Sequence, residues 1–98
     1  MLDSKQRAHL LGLASKAPTL VHVGKNGLAD TVLDQIDDIL SRRELVKVGV
    51  LKNSGATSRD LAFEMADKLG AEVVHTIGSK IILYRYSHME GVEHINLN

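Results

Sequence analysis

The sequence contains no cysteine, no tryptophan and a single proline. Without cysteine, disulfides, thiolate metal sites and cysteine nucleophiles are all excluded. Aromatic residues make up only 3% of the chain: Phe63, Tyr84 and Tyr86. They are expected to cover the edge of a core, Tyr84 and Tyr86 from one face of a last strand. A base-stacking platform would need more exposed rings. Long apolar runs are missing too, and none approaches the roughly 18–20 residues of a membrane helix. Met1-Leu2-Asp3-Ser4-Lys5 lacks the basic-then-apolar order of a secretory signal. The expectation is a soluble, cytoplasmic protein without membrane contact.

The 98 residues are 44% hydrophobic and 24% charged, which suits one packed domain over residues 1–98. A chain of this length buries roughly 60–68% of its unfolded surface and needs no covalent staple. The net charge is zero, but it divides unevenly. Residues 1–59 hold nine Lys/Arg against six Asp/Glu, and residues 60–98 hold three against six. The halves thus carry +3 and −3, a pattern open to two readings. Either there are distinct basic and acidic faces, or this is ordinary solvated charge.

Ser4 is placed to cap a first helix from Lys5 to about Ser15, with Leu10, Leu13, Ala14 and Ala17 on its buried stripe. Lys5, His9, Gly12 and Lys16 form a second, mostly basic stripe. Pro18 stops the helix, and Thr19–Val23 reads as a short strand. Leu28, Val32, Ile36, Ile39 and Leu40 mark a long second helix ending near Arg42-Arg43. Leu45–Leu51 is a strand with Val46, Val48 and Val50 on one face, and Lys52–Ala56 a loop. Thr57 and Asp60 open a third helix, buried through Leu61, Ala62, Met65, Ala66 and Leu69, with Gly70 at its end. Val73–Ile77 and Lys80–Tyr86 are strands joined by Gly78-Ser79, the composition of a type II′ turn. Residues 87–98 read as a polar tail, with a short extended piece near Val92–Leu97.

The order α-β-α-β-α-β-β predicts an α/β (α+β) fold with a four-stranded mixed sheet and packed helices. The two strand–helix–strand crossovers predict parallel neighbours, and the hairpin adds an antiparallel strand.

Little in the sequence suggests catalysis. Asp34, Asp37 and Asp38 occupy the polar side of a helix, G-x-S-x-G is absent, and Gly24-Lys25 lacks the spacing of a phosphate-binding P-loop. No catalytic residue or cofactor is expected. His9, His22, His75, His88 and His94 are scattered one per element without ligand spacing, so no metal site is expected, although His22 and His75 could face one side.

Gly24-Lys25-Asn26-Gly27 is the feature with a specific mechanism. It leads from a strand into a long helix, where glycines permit positive φ and close backbone approach. The helix start behind it offers unpaired N–H groups and partial positive charge, and Lys25 adds a mobile cation. A G-x-x-G loop can clamp a nucleic-acid backbone this way, yet the same residues also make a plain connector. Lys5, Arg7, His9, Lys16, Lys52, Arg59 and the Arg42-Arg43 pair could extend the footprint if they share its face. Such binding would rest on phosphates and shape.

Six segments together resemble a known family. They are Ser4-Lys5-Gln6-Arg7, Val21-His22-Val23-Gly24-Lys25-Asn26-Gly27-Leu28, Arg43-Glu44-Leu45-Val46-Lys47-Val48, Leu69-Gly70-Ala71-Glu72-Val73-Val74, Ile77-Gly78-Ser79-Lys80 and Ile82-Leu83-Tyr84-Arg85. Over about residues 2–86 the chain is similar to the YhbY-like CRM domain, named for chloroplast RNA splicing and ribosome maturation. The resemblance implies a fold like the C-terminal domain of translation initiation factor three. It also implies a non-catalytic RNA-binding role on ribosomal RNA or precursors of the large ribosomal subunit. Its loop falls on Gly24, Lys25, Asn26 and Gly27, and its basic first helix on Lys5, Arg7 and Lys16. The alternative is a protein-interaction module that docks on a ribosomal protein or assembly factor through the acidic half.

Overall fold

The first helix starts one residue earlier than its serine suggests. In the computed structural model, which describes residues 2–97, Asp3 is the cap. Its carboxylate accepts from the Gln6 amide at 2.8 Å, and Gln6 Oε1 accepts from the Asp3 amide at 3.1 Å. Asp3 wins because a partner stands three residues on, closing a reciprocal capping box. The elements are α1 (Ser4–Ser15), β1 (Val21–Val23), α2 (Asp30–Arg43), β2 (Leu45–Val50), a 3₁₀ turn (Lys52–Ser54), α3 (Ser58–Leu69), β3 (Glu72–Ile77) and β4 (Lys80–Tyr84). The expected order holds, with a shorter first strand.

The strands lie in the order β1-β2-β4-β3. β1 runs parallel to β2, and β4 pairs antiparallel with both β2 and β3. The first crossover thus gives parallel neighbours as predicted, and the second does not, because β4 inserts between β2 and β3. The side chains explain why. Ile81, Ile82, Leu83 and Tyr84 are all buried, covering both faces of β4, so it belongs in the middle of the sheet. β3 leaves His75 and Ile77 exposed and tolerates the edge. In the two-residue turn Gly78 alone takes positive φ, as the first position of a type II′ turn requires.

Each face of the sheet carries its own core. Ile36 and Leu40 of α2 and Leu61, Ala62 and Met65 of α3 pack on Val21, Val23, Val46, Val48, Ile81 and Leu83. On the other face Leu2 and Leu10 and Ala14 of α1 pack on Val74, Ile82 and Tyr84. The result is a helix–sheet–helix sandwich.

The C-terminal segment belongs to this structure and is not a loose polar tail. No strand forms at Val92–Leu97; instead Ile95 and Leu97 pack against the α1-side core. Glu44, fully buried at the end of α2, holds the segment in place. Its carboxylate accepts from the Ser87 amide at 2.7 Å and the Ile95 amide at 2.8 Å, and it meets His94 Nδ1 at 2.8 Å. Burial pushes the Glu44 carboxyl up. The hydrogen bonds from Ser87, His94 and Ile95 outweigh that and leave it below its ordinary value.

The aromatic expectations need correcting. Phe63 is 58% exposed on the outside of α3. Tyr84 is buried, whereas Tyr86 lies beyond the strand, stacked on His94 with centroids 4.4 Å apart. The strand ends at Tyr84 because its partner β2 begins at Leu45: the Arg85 amide donates to the carbonyl of Glu44, the left-handed cap of α2, at 3.0 Å. The Arg85 side chain donates to Asp37 Oδ1 at 2.7 Å and to the Leu69 carbonyl at 3.0 Å.

Candidate nucleic-acid interface

β1 and β2 are parallel, so they end at one side of the molecule, and α2 and α3 both begin there. In open sheets of this kind ligands gather outside the carboxyl ends of the strands. Three loops meet at that end. The Leu51 amide donates to the Val23 carbonyl at 2.8 Å, tying the loop after β2 to the end of β1. The Val50 amide donates to the Ser79 carbonyl at 2.7 Å, and Ser58 Oγ donates to the Gly78 carbonyl at 2.8 Å. The latter two bonds draw in the β3–β4 turn. Lys52, Ser54, Gly55, Thr57, Ser58 and Ser79 help line a shallow hollow of about 460 Å³ between them.

Gly24–Gly27 forms a tight turn at the rim, closed by the Gly27 amide donating to the Gly24 carbonyl at 2.9 Å. Only Gly27 uses positive φ, at 61°. At Gly24 neither φ nor space demands glycine within the fold: a Cβ would sit at ordinary contact distances, 3.4 Å from Leu51 Cδ1 and 3.5 Å from Asn53 Oδ1. α2 begins three residues after Gly27, at Asp30, so the helix start is set back from the turn. Ala29 provides no side-chain cap, and Val32 and Leu33 both donate to its carbonyl, leaving the Asp30 and Thr31 amides without a partner among the described residues. Asp30 nevertheless adds a carboxylate to that first turn, as Asp60 does in α3. The helix dipoles are thus partly answered from within, and the side-chain cations must supply the attraction for an anion.

Those cations divide into two sets. Lys25 and Asn26 at the turn, Lys52 in the next loop and Arg59 in the first turn of α3 are exposed together at the carboxyl end. Lys25, Lys52 and Arg59 form no ion pair with any described residue. Lys5, His9 and Lys16 are exposed along α1, on the opposite side of the sheet from α2 and α3. α1 begins where the Leu2 amide donates to Glu72 Oε1 and ends where Lys47 Nζ donates to the Ala14 and Ala17 carbonyls. It therefore crosses the sheet diagonally from β3 towards β2, and only Lys16 ends on the β2 side. Arg7 lies apart from this stripe, in a hollow with Phe63, Asp67 and Glu72. Arg42 and Arg43 end α2 at the far side of the molecule, roughly 20 Å from its start.

The histidines do not assemble. His22 and His75 lie on opposite edge strands, about 14 Å apart across the sheet. Two residues outside the expected footprint do meet. His22 and Lys80 stand on either side of Gly49 in the sheet register. Periodicity alone could not pair them, since it reveals neither strand order nor register.

Comparison with known proteins now adds to this geometry. Residues 2–85 match the CRS1/YhbY (CRM) domain. A Bacillus subtilis (strain 168) relative named "Probable RNA-binding protein YqeI" is 37% identical over 87 residues, covering 89% of this chain and 91% of its own. A Haemophilus influenzae relative named "RNA-binding protein" is 36% identical over 86 residues, covering 88% and 87%. The solution structure of the Staphylococcus aureus protein SAV1595 superimposes with a TM-score of 0.78 at 37% identity, covering 95% of this chain and 98% of that one. The domain recurs in larger plant proteins: the rice "CRS2-associated factor 1, mitochondrial" is 28% identical over 89 residues, which are 21% of its length. A match across nearly the whole chain, together with the shared fold, settles the family: the chain belongs to the CRS1/YhbY (CRM) domain family.

Proposed function

We propose that the chain is a non-catalytic RNA-binding protein that acts in the cytoplasm on ribosomal RNA or pre-ribosomal particles during large-subunit assembly. One observation carries this reading. A glycine-bounded turn with exposed Lys25, and exposed Lys52 and Arg59 in the segment after β2, lie at the carboxyl end of β1 and β2, with no described carboxylate paired to those cations. Relatives named as RNA-binding proteins support it. Lys25 would pair with phosphate, and Asn26, Lys52 and Arg59 would extend the contact. Gly24 and Gly27 would keep side chains out of the way of the nucleic-acid backbone. Lys16 could join from the other face; Lys5, Arg7 and His9 are further removed.

The experiment is a salt titration of affinity for large-subunit ribosomal RNA. Lys25→Glu is expected to weaken binding at least tenfold and to flatten the salt slope by about one contact, with an unchanged circular dichroism spectrum. Equal affinity and equal slope in variant and parent would remove Lys25 from the interface. A second reading, docking on a ribosomal protein or assembly factor, draws on exposed Phe63 beside Asp67 and Glu72. It predicts that co-sedimentation with pre-ribosomal particles survives nuclease treatment.

A further inference from the structure

We infer that His22 and Lys80, converging over Gly49 on the α1 side of the sheet, form a second binding position for an RNA phosphate, adjoining the Gly24–Gly27 turn. The inference rests on the RNA-binding reading above and extends it from the loops onto the sheet. Pairing creates the position: β1 places His22 opposite Gly49 from one side, and β4 places Lys80 opposite it from the other. A Cβ at residue 49 would lie 3.0 Å from His22 Cδ2, 3.2 Å from Lys80 Nζ and 3.1 Å from Thr19 Cγ2. Gly49 has no positive φ, so its backbone does not require glycine. What the missing side chain provides is room for an ammonium and an imidazole to reach the same point.

The ammonium there is uncommitted. Lys80 is half-buried, and its side chain makes no hydrogen bond or ion pair with any described residue. Lys47, two residues along β2, spends its Nζ on the Ala14 and Ala17 carbonyls at 3.3 and 3.4 Å. An anion at this point would supply the counter-charge that the ammonium lacks among the described residues. Lys80 supplies donors and charge, His22 supplies a ring N–H, and neither side chain donates to a described carboxylate. His22 precedes Gly24 by two residues of extended chain, about 7 Å. A strand whose backbone passes Lys25 would therefore continue past Gly49 on the α1 side, in the direction of Lys16.

The test uses the full chain and large-subunit ribosomal RNA, comparing the parent with Lys80→Gln, Gly49→Ala, Lys25→Glu and, as a charge control, Lys68→Gln in the last turn of α3. Lys80→Gln is expected to lose roughly five- to tenfold in affinity and about one unit of salt slope, while Lys68→Gln stays within twofold of the parent. Gly49→Ala keeps every charge but inserts a methyl between the two groups, and is expected to weaken binding at an unchanged melting temperature. If Gly49→Ala unfolds, the imidazole NMR signals of His22 decide. They should shift on adding a short single-stranded RNA to the parent, and shift less in Lys80→Gln. The same titration with inorganic phosphate separates the sources of the anion: a shift of equal size at equal concentration would assign the position to free phosphate and overturn its role on RNA. Lys80→Gln at parental affinity and slope, with Lys25→Glu still impaired, would overturn this position and leave the RNA-binding reading standing. Equal losses in Lys80→Gln and Lys68→Gln would reduce the effect to net charge and overturn it as well. A parent that binds no RNA would remove both readings together.

Discussion

Gly24 and Gly27 bound the same turn, but only Gly27 needs glycine's backbone freedom for folding, so substitutions separate folding from binding. Gly27 sits at φ 61°, where an L side chain costs about 1–2 kcal/mol. Gly27→Ala should therefore lower the urea midpoint as well as RNA affinity, and Gly27→Asn should recover part of the stability, since asparagine tolerates this region. A Cβ at Gly24 meets only ordinary contacts. Gly24→Ala should stay within about 0.5 kcal/mol of the parent in stability; if it also binds RNA like the parent, close backbone approach at Gly24 plays no part. Glu44 offers a residue-scale prediction in pH. Its carboxyl lies below the ordinary 4.5 in the folded chain, so the stabilisation is complete above that pH and is lost as pH falls through the lower folded value. Urea midpoints should drop below about pH 4.5 in the parent. They should drop less steeply in Glu44→Gln, which starts from a lower midpoint at pH 7 because a neutral amide replaces charge-assisted acceptors. Parallel acid limbs in the two proteins would rule Glu44 out as the source.

At the scale of elements, the segment after β4 behaves as a third piece of packing on the α1 side. Removing residues 88–98 would uncover the part of the α1-side core against which Ile95 and Leu97 now pack, and would strip Glu44 of two partners. A loss of about 2–4 kcal/mol is expected, with amide exchange rising first in α1; uniform exchange across the sheet would contradict a local role. This segment also marks where the sequence became hard to read. Helix and strand positions were legible because Leu61, Met65 and Leu69, or Val46 and Val48, repeat with a clear period. The tail has no period, and its anchors, Glu44 with Ser87 and Ile95, lie 43 and 51 residues apart. Strand order failed for a related reason. Crossover rules favour β3 beside β2, but four consecutive buried residues in β4 demanded the central position. The turn at Gly24–Gly27 was visible as a motif, whereas the meeting of His22 with Lys80 depended on that register.

For the whole molecule, the neutral total conceals a separation between its two ends. Lys25, Lys52 and Arg59 stand where β1 and β2 finish, while Arg42 and Arg43 stand at the opposite end of α2. That helix is about 20 Å long, and fields between exposed charges fade over about 8 Å at physiological ionic strength. A charge count would make all five equivalent; the fold does not. The double variant Arg42→Glu, Arg43→Glu should keep parental affinity for large-subunit ribosomal RNA within about twofold above 0.15 M salt, since those charges lie more than two screening lengths from the turn. It gives up the exposed Arg42–Asp38 pair, whose i,i+4 geometry contributes about 0.3–0.5 kcal/mol. It also gives up two cations favoured by the dipole in the last turn of α2, so circular dichroism should accompany the binding measurement. The triple variant Lys25→Gln, Lys52→Gln, Arg59→Gln removes one more cation than there are arginines in the double variant, yet changes net charge by less. It should flatten the salt slope by about two to three contacts and lose most of the affinity. If binding instead tracked net charge, the double variant would be the more impaired of the two. That order of effects would place the RNA on a diffuse cationic surface rather than at the carboxyl end of the parallel strands.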